Sequence, residues 1–143
     1  MNTDQEENKT DTGTQAAPEA QVTPSMPVFV VDDEEAVVEV LQALSELHGV
    51  PARFFTDPVE ALEEFVASDP KPRLLISDYQ MPKMNGMELL QLCKAEHPEL
   101  RTISSSGTLD TKEMMKYAVQ PDRRLAKPFR SQQLFELVDE MLA

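Results

Sequence analysis

Five residues spread along the chain, Asp32, Asp33, Asp78, Ser106 and Lys127, have the types needed to move a phosphoryl group. Three carboxylates brought together repel one another unless a cation sits among them. A hard divalent ion such as Mg²⁺ suits oxygen ligands of this kind and keeps part of its water shell. Lys127 offers a point charge for a phosphoryl oxygen, and Ser106 offers a hydroxyl donor. Phosphoryl transfer needs little more: an oxygen nucleophile in line, and cations to neutralise the equatorial oxygens. Taken singly, each residue has a plainer role. Asp32-Asp33 would cap a helix, Asp78 would open a turn, Ser106 would satisfy a loop amide, and Lys127 would be a solvated surface charge. The chemistry therefore depends on a fold that gathers all five.

The hydrophobic pattern supplies such a fold. Val28-Phe29-Val30-Val31 is an unbroken apolar run, as a strand buried on both faces of a parallel sheet requires. A helix follows with Val37, Val40, Leu41, Leu44 and Leu47 at helical spacing, stopped near Gly49 and Pro51. Arg53-Phe54-Phe55 fits a second strand. Asp57-Pro58-Val59-Glu60 reads as a helix start, with Asp57 as N-cap, Pro58 in the first turn and Glu60 closing a capping box. That helix is expected to bury Leu62, Phe65 and Val66. Leu74-Leu75-Ile76-Ser77 is a third strand ending at Asp78. A helix from about Gly86 turns Met87, Leu90 and Cys93 inward and stops before Pro98. Thr102 to Ser105 forms a fourth strand. Met114, Met115, Ala118 and Val119 suggest a fourth helix, and Arg124-Leu125-Ala126 a short fifth strand. The last helix is expected to use Ser131 as N-cap and shows the stripe Leu134, Leu137, Val138, Met141 and Leu142.

Five β-then-α units predict an α/β fold: a doubly wound, five-stranded parallel sheet, flavodoxin-like, order 2-1-3-4-5, with five helices. Ligands in such sheets bind beyond the carboxyl ends of the strands, where strand order reverses. Asp32 and Asp33 follow strand one, Asp78 ends strand three, Ser106 follows strand four, and Lys127 follows strand five. All five then meet on one rim.

Composition sets further bounds. The chain has 143 residues, 41% of them hydrophobic, and a net charge of −13. That acidity argues against direct binding to duplex DNA or to an anionic membrane, since affinity for phosphate backbones comes from clustered Lys and Arg. No apolar run approaches the ~20 residues of a transmembrane helix. The N-terminus lacks a basic start followed by an apolar stretch, so no secretory signal is read. A single cysteine, Cys93, forbids an internal disulfide and suits a reducing cytoplasm. Residues 1–26 contain no Leu, Ile or aromatic residue and read as a disordered arm, which leaves residues 27–143 as the folded domain.

Four segments now combine: Val31-Asp32-Asp33-Glu34, Asp78-Tyr79-Gln80-Met81-Pro82-Lys83-Met84-Asn85-Gly86, Ser106-Gly107 and Lys127-Pro128-Phe129. Their order and spacing resemble the successive motifs of response regulator receiver domains of two-component signalling, over roughly Pro27 to Ala143. The middle motif is the most specific. The resemblance implies that Asp78 is the phosphate acceptor. It implies that Asp33, Asp78 and the backbone carbonyl of Gln80 hold Mg²⁺, with Asp32 acting largely through a metal-bound water. It implies that Lys127 pairs first with Asp78 and then with the phosphoryl group, and that Ser106 moves to donate a hydrogen bond to that group. The partners implied are a sensor histidine kinase or histidine phosphotransfer protein, and a downstream protein target. The protein would be a stand-alone switch that assists its own phosphorylation and dephosphorylation rather than a turnover enzyme.

Two positions depart from the family pattern. Arg124 stands three before the lysine, where an aromatic residue is usual, and Gln120-Pro121 replaces the common Gly-Ala before strand five. A guanidinium cannot be buried unpartnered, so Arg124 is expected near the surface, its head in water or paired with an acid. Arg124 with Arg123 and Arg130 could offer a basic patch to an acidic partner. Three other readings compete. A pseudo-receiver would bind partners without taking phosphate. A phosphatase of the haloacid dehalogenase type would want an aspartate two positions after Asp78, where Gln80 stands. A dinucleotide enzyme would need a Gly-rich loop after strand one, and none follows.

Overall fold

Alternation along β1 (Val28–Val31) divides the core in two. Val28 and Val30 pack on one face of the sheet with Leu74, Ile76, Ile103 and Leu125. Phe29 and Val31 pack on the other with Phe55 and Leu75. The computed structural model describes residues 26–143, so the arm expected over residues 1–26 lies, Met26 apart, outside the described residues. β1 is joined by β2 (Ala52–Phe55), β3 (Leu74–Asp78), β4 (Arg101–Ser106) and β5 (Arg123–Ala126) in one parallel sheet of order β2-β1-β3-β4-β5. This is the doubly wound, flavodoxin-like topology expected from the sequence.

Helices α1 (Glu35–Leu47) and α5 (Ser131–Leu142) cover the first face through Leu41, Leu134, Val138 and Met141. Helices α2 (Pro58–Ala67) and α3 (Gly86–Glu96) cover the second through Ala61, Phe65, Leu89 and Cys93. Each such large side chain contributes about 1.5–3 kcal/mol by leaving water. A helix cap contributes about 1. Packing on the sheet, rather than capping, therefore holds the layers. Among the described residues no helix is long and apolar enough to cross a membrane.

Several local expectations change. On α1 the buried residues are Val38, Leu41 and Ser45, while Val40 and Leu47 are exposed at 57% and 81%. Val37, Val40 and Leu44 instead line an open groove with Pro128 and Phe129 that reaches Lys127. On α2, Phe65 is buried but Val66 is exposed, and Ala61 takes the inner position. Asp57 caps α2 as expected, accepting the Val59 N–H at 2.9 Å. No return bond from Glu60 is present among the described residues. Arg130, not Ser131, is the N-cap of α5, and Ser131 opens the helix itself.

The largest local difference is the fourth helix. A 3-10 turn (Thr108–Asp110) leads into a single α turn, α4 (Thr111–Met114), rather than a helix running to Val119. Side-chain amides take over from there. Gln120 Nε2 donates to the carbonyls of Met114 at 3.0 Å and Tyr117 at 2.9 Å. The Gln91 amide bridges Val119, donating to its carbonyl at 2.7 Å and accepting its N–H at 3.0 Å. Backbone groups that a longer helix would have paired are thus satisfied by glutamines.

Candidate functional site

β1 and β3 lie side by side at the centre of the sheet, so their carboxyl ends put Asp32 and Asp33 beside Asp78. Each of these three residues offers an oxygen within 4.8 Å of the others. Asp32 and Asp78 are buried at 4% and 7% exposure, and Asp33 is the most open of the three. β5 brings Lys127 across β4 to the same rim, where the Lys127 N–H bonds the Ser106 carbonyl at 2.9 Å. Its ammonium Nζ stands 3.1 Å from Asp78 Oδ2 and 3.7 Å from Asp32 Oδ2. Ser106 ends β4 buried, and its hydroxyl makes no hydrogen bond among the described residues. The turn role of Asp32 is present as well: its Oδ1 accepts the Glu34 N–H at 2.9 Å as α1 begins.

The loop after Asp78 is shaped by two residues. Lys83 sits at φ 73°, a left-handed conformation, and its ammonium bonds the Asp57 carboxylate at 3.0 Å. Gly86 packs against the backbone of Asp78, and its N–H bonds the Tyr79 carbonyl at 2.8 Å. Asn85 closes a capping box with Glu88, which starts α3 directly after the loop.

Burial raises the carboxyls of both Asp32 and Asp78 above the ordinary 3.8. The Glu34 N–H and Lys127 oppose this at Asp32, and the hydrogen bond from Lys127 opposes it at Asp78. Burial would weaken the Lys127 ammonium, but the Asp78 hydrogen bond and the Asp32 charge outweigh it, and its pKa rises. A carboxyl raised on folding binds protons better in the native state, so stability increases as pH falls from neutral through its folded pKa. Asp57, lowered by Lys83, acts in the opposite sense. In chelator at pH 7, Asp78→Asn is therefore expected to melt higher than the parent, with the gap closing as pH falls toward the ordinary carboxyl range. An Asp78→Asn melting point at or below the parent's at pH 7 would show that the Lys127 pair outweighs desolvation.

Arg124 lies at the surface as expected, but its guanidinium bonds the Gln120 side-chain oxygen rather than an acid. Arg123 pairs with Glu140 on α5. Sequence reasoning missed one buried polar residue next to the site. Asp110, 9% exposed, accepts the Gln80 amide at 2.7 Å and the Gly107 N–H at 2.9 Å. Its signal was Gly107-Thr108-Leu109-Asp110, the spacing of a helical-turn cap.

A parallel sheet of order 2-1-3-4-5, with an acidic cluster and a facing lysine at its strand ends, defines a flavodoxin-like α/β domain built around a polar pocket. The chain belongs to the response regulator receiver domain family, whose model matches residues 28–139. It is 30% identical over 122 residues to the uncharacterized transcriptional regulatory protein YesN of Bacillus subtilis, covering 81% of this chain and 32% of that protein. It is 30% identical over 117 residues to the DNA-binding transcriptional regulator NtrC of Escherichia coli, covering 81% of this chain and 24% of NtrC. The chain thus spans about a third or less of the length of these curated relatives. Among solved structures, a response regulator receiver domain protein from Clostridium thermocellum superposes with TM-score 0.74 at 24% identity, over 80% of this chain and 91% of that one. The Thermotoga maritima response regulator TrrA, solved in complex with Mg²⁺ and beryllium fluoride, gives TM-score 0.70 at 23% identity, over 80% and 96%. At these identities both structures show the shared fold.

Proposed function

We propose that this domain accepts a phosphoryl group on Asp78 in a Mg²⁺-dependent reaction and changes its protein contacts as a result. The observation that carries the reading is Lys127 Nζ at 3.1 Å from Asp78, with Asp32 and Asp33 beside the same carboxylate. Each of the three carboxylates offers an oxygen within 4.8 Å of the others, close enough for one ion to reach two of them directly and the third through a water. Two of the carboxylates are buried, and a single cation, Lys127, faces them among the described residues. That charge imbalance fits a second cation. Asp33, Asp78 and the Gln80 carbonyl would hold Mg²⁺, with Asp32 reaching it through water. The ion would neutralise charge on the phosphoryl oxygens.

The chain's own residues do the rest. An Asp78 carboxylate oxygen attacks phosphorus, the phosphorus–nitrogen bond of a donor phosphohistidine breaks, and its electron pair returns to the imidazole. Lys127 orients the Asp78 carboxylate before transfer and meets a phosphoryl oxygen after it. The buried Ser106 hydroxyl, without a partner among the described residues, has a hydrogen bond to gain by donating to another such oxygen. The donor is a histidine kinase or phosphotransfer protein, and the setting is the cytoplasm. Asp78 is consumed once per event, so the domain is a switch rather than a turnover enzyme.

Incubation with acetyl phosphate and Mg²⁺ is expected to add one phosphoryl mass to the intact protein. Asp78→Ala should show no gain. A gain of the same size in Asp78→Ala would move the acceptor elsewhere, and no gain in the parent would remove the reading.

A further inference from the structure

Asp110 is a buried carboxylate whose partners are two neutral N–H groups from the loops after two adjacent strands. Gln80 Nε2 donates to Oδ1 at 2.7 Å from the loop after β3, and the Gly107 N–H donates to Oδ2 at 2.9 Å from the loop after β4. Asp110 makes no ion pair among the described residues. A charge buried with neutral partners alone is costly, and a neutral side chain could serve a mere turn at less cost. What a carboxylate does better is accept on both oxygens at once. The two donors are informative in their own right. Gln80 lends its backbone carbonyl to the metal in the reading above, and Gly107 directly follows Ser106.

We infer that Asp110 is a positioning residue that ties Gln80 to the Ser106-Gly107 backbone, fixing the spacing between the metal-side wall of the pocket and the hydroxyl that receives the phosphoryl oxygen. The inference rests on the phosphoacceptor reading. A backbone shift of Ser106 toward Asp78 also moves the Gly107 N–H, so that motion either carries Asp110 and Gln80 with it or breaks the 2.9 Å bond. Occupation of the pocket and the placement of Ser106 are thereby coupled, and the coupling is reciprocal.

The test uses the full chain with Gln80→Glu, Gln80→Met and the pair Gln80→Glu with Asp110→Asn. Gln80→Glu sets a second carboxylate against Asp110, so two acceptors face each other and the bond between these side chains is lost. Gln80→Met removes the donor at nearly constant length. In the pair, Oδ1 of the new amide accepts from Gly107 while its Nδ2 donates to the new carboxylate, restoring both bonds at unchanged net charge. The readouts are the initial rate of mass gain from acetyl phosphate in saturating Mg²⁺ and the Gly107 amide signal. The chain has only 4 glycines, which makes that signal easy to assign.

Each single variant is expected to slow phosphorylation by at least about fivefold, the lower end of measured couplings. The pair should return to within about twofold of the parent. The Gly107 amide should shift in Gln80→Glu and return in the pair. Single variants at the parental rate overturn the proposal, as does a pair no faster than Gln80→Glu alone. A parent that takes no phosphate overturns the phosphoacceptor reading and this proposal with it. A phosphorylated parent with unaffected variants overturns the proposal alone.

Discussion

Gly86→Ala is expected to destabilise the protein by about 3 kcal/mol or more, visible as a melting point lower by roughly 10 °C. A Cβ at this position would lie 2.1 Å from the Asp78 carbonyl oxygen, 2.9 Å from its carbonyl carbon and 3.0 Å from Ser77 Oγ. The first two obstacles are backbone at the end of a central strand, held there by the ladder to β4, and cannot swing away as a side-chain tip could. Gly86 cannot retreat either, because its own N–H is bonded to Tyr79 and it opens α3 behind the Asn85–Glu88 capping box. Something must give, and what gives is the loop that carries Gln80. Against a total stability of about 5–15 kcal/mol, this loss is a large share. Thermal unfolding of the two proteins checks it; melting points within two or three degrees would show that the loop yields cheaply.

The same glycine illustrates what a sequence conceals. Met81-Pro82 through Gly86 reads as a turn from residue types alone, and it is one. The reason for the glycine is a contact with Asp78, eight positions back, and it depends on how tightly α3 is drawn onto β3. The strands β1, β3 and β4 were legible because burial on both faces leaves apolar runs, even in β4, where three successive serines weaken the pattern. Helix faces were less legible. Val40 and Leu47 have the right spacing for a core stripe, but the interior at α1 is satisfied by Val38, Leu41 and the small Ser45. Val40 lies instead on the groove beside Phe129. Periodicity reports that a stripe exists, not which side of it meets the sheet.

The candidate site follows the same division. Asp32, Asp33, Asp78, Ser106 and Lys127 could be gathered from sequence because each ends or follows a strand, and strand order alone decides their neighbours. Asp110 could not be gathered that way. Its partner Gln80 lies 30 residues away on another loop, and the bond joins two side chains whose directions depend on a single irregular turn. The shortened α4 has the same origin: the backbone after it is paired by the side chains of Gln91, 28 residues from Val119, and of Gln120, partners that propensity does not register. Arg124 belongs with them, since its surface position was foreseeable from desolvation, but its attachment to Gln120 was not.

Mg²⁺ at about a hundredfold excess over its Kd is expected to stabilise the parent by roughly 2.7 kcal/mol, a rise in melting point on the order of 10 °C. Asp33→Ala should lose most of that response. Asp33 is the open member of the acidic cluster and makes no ion pair among the described residues, whereas Asp32 and Asp78 both face Lys127. Its removal therefore takes away a metal ligand without breaking the lysine pairs that help hold the rim together. It also removes one of three like charges, so in chelator Asp33→Ala should melt at or above the parent. The two proteins should change order between chelator and saturating Mg²⁺. A general folding defect would lower the variant in both buffers, and a lost surface contact would shift both by the same amount. Only a ligand removed from a cation site reverses the order. Equal melting points for the parent in chelator and in Mg²⁺ would show that Asp32, Asp33 and Asp78 do not form one.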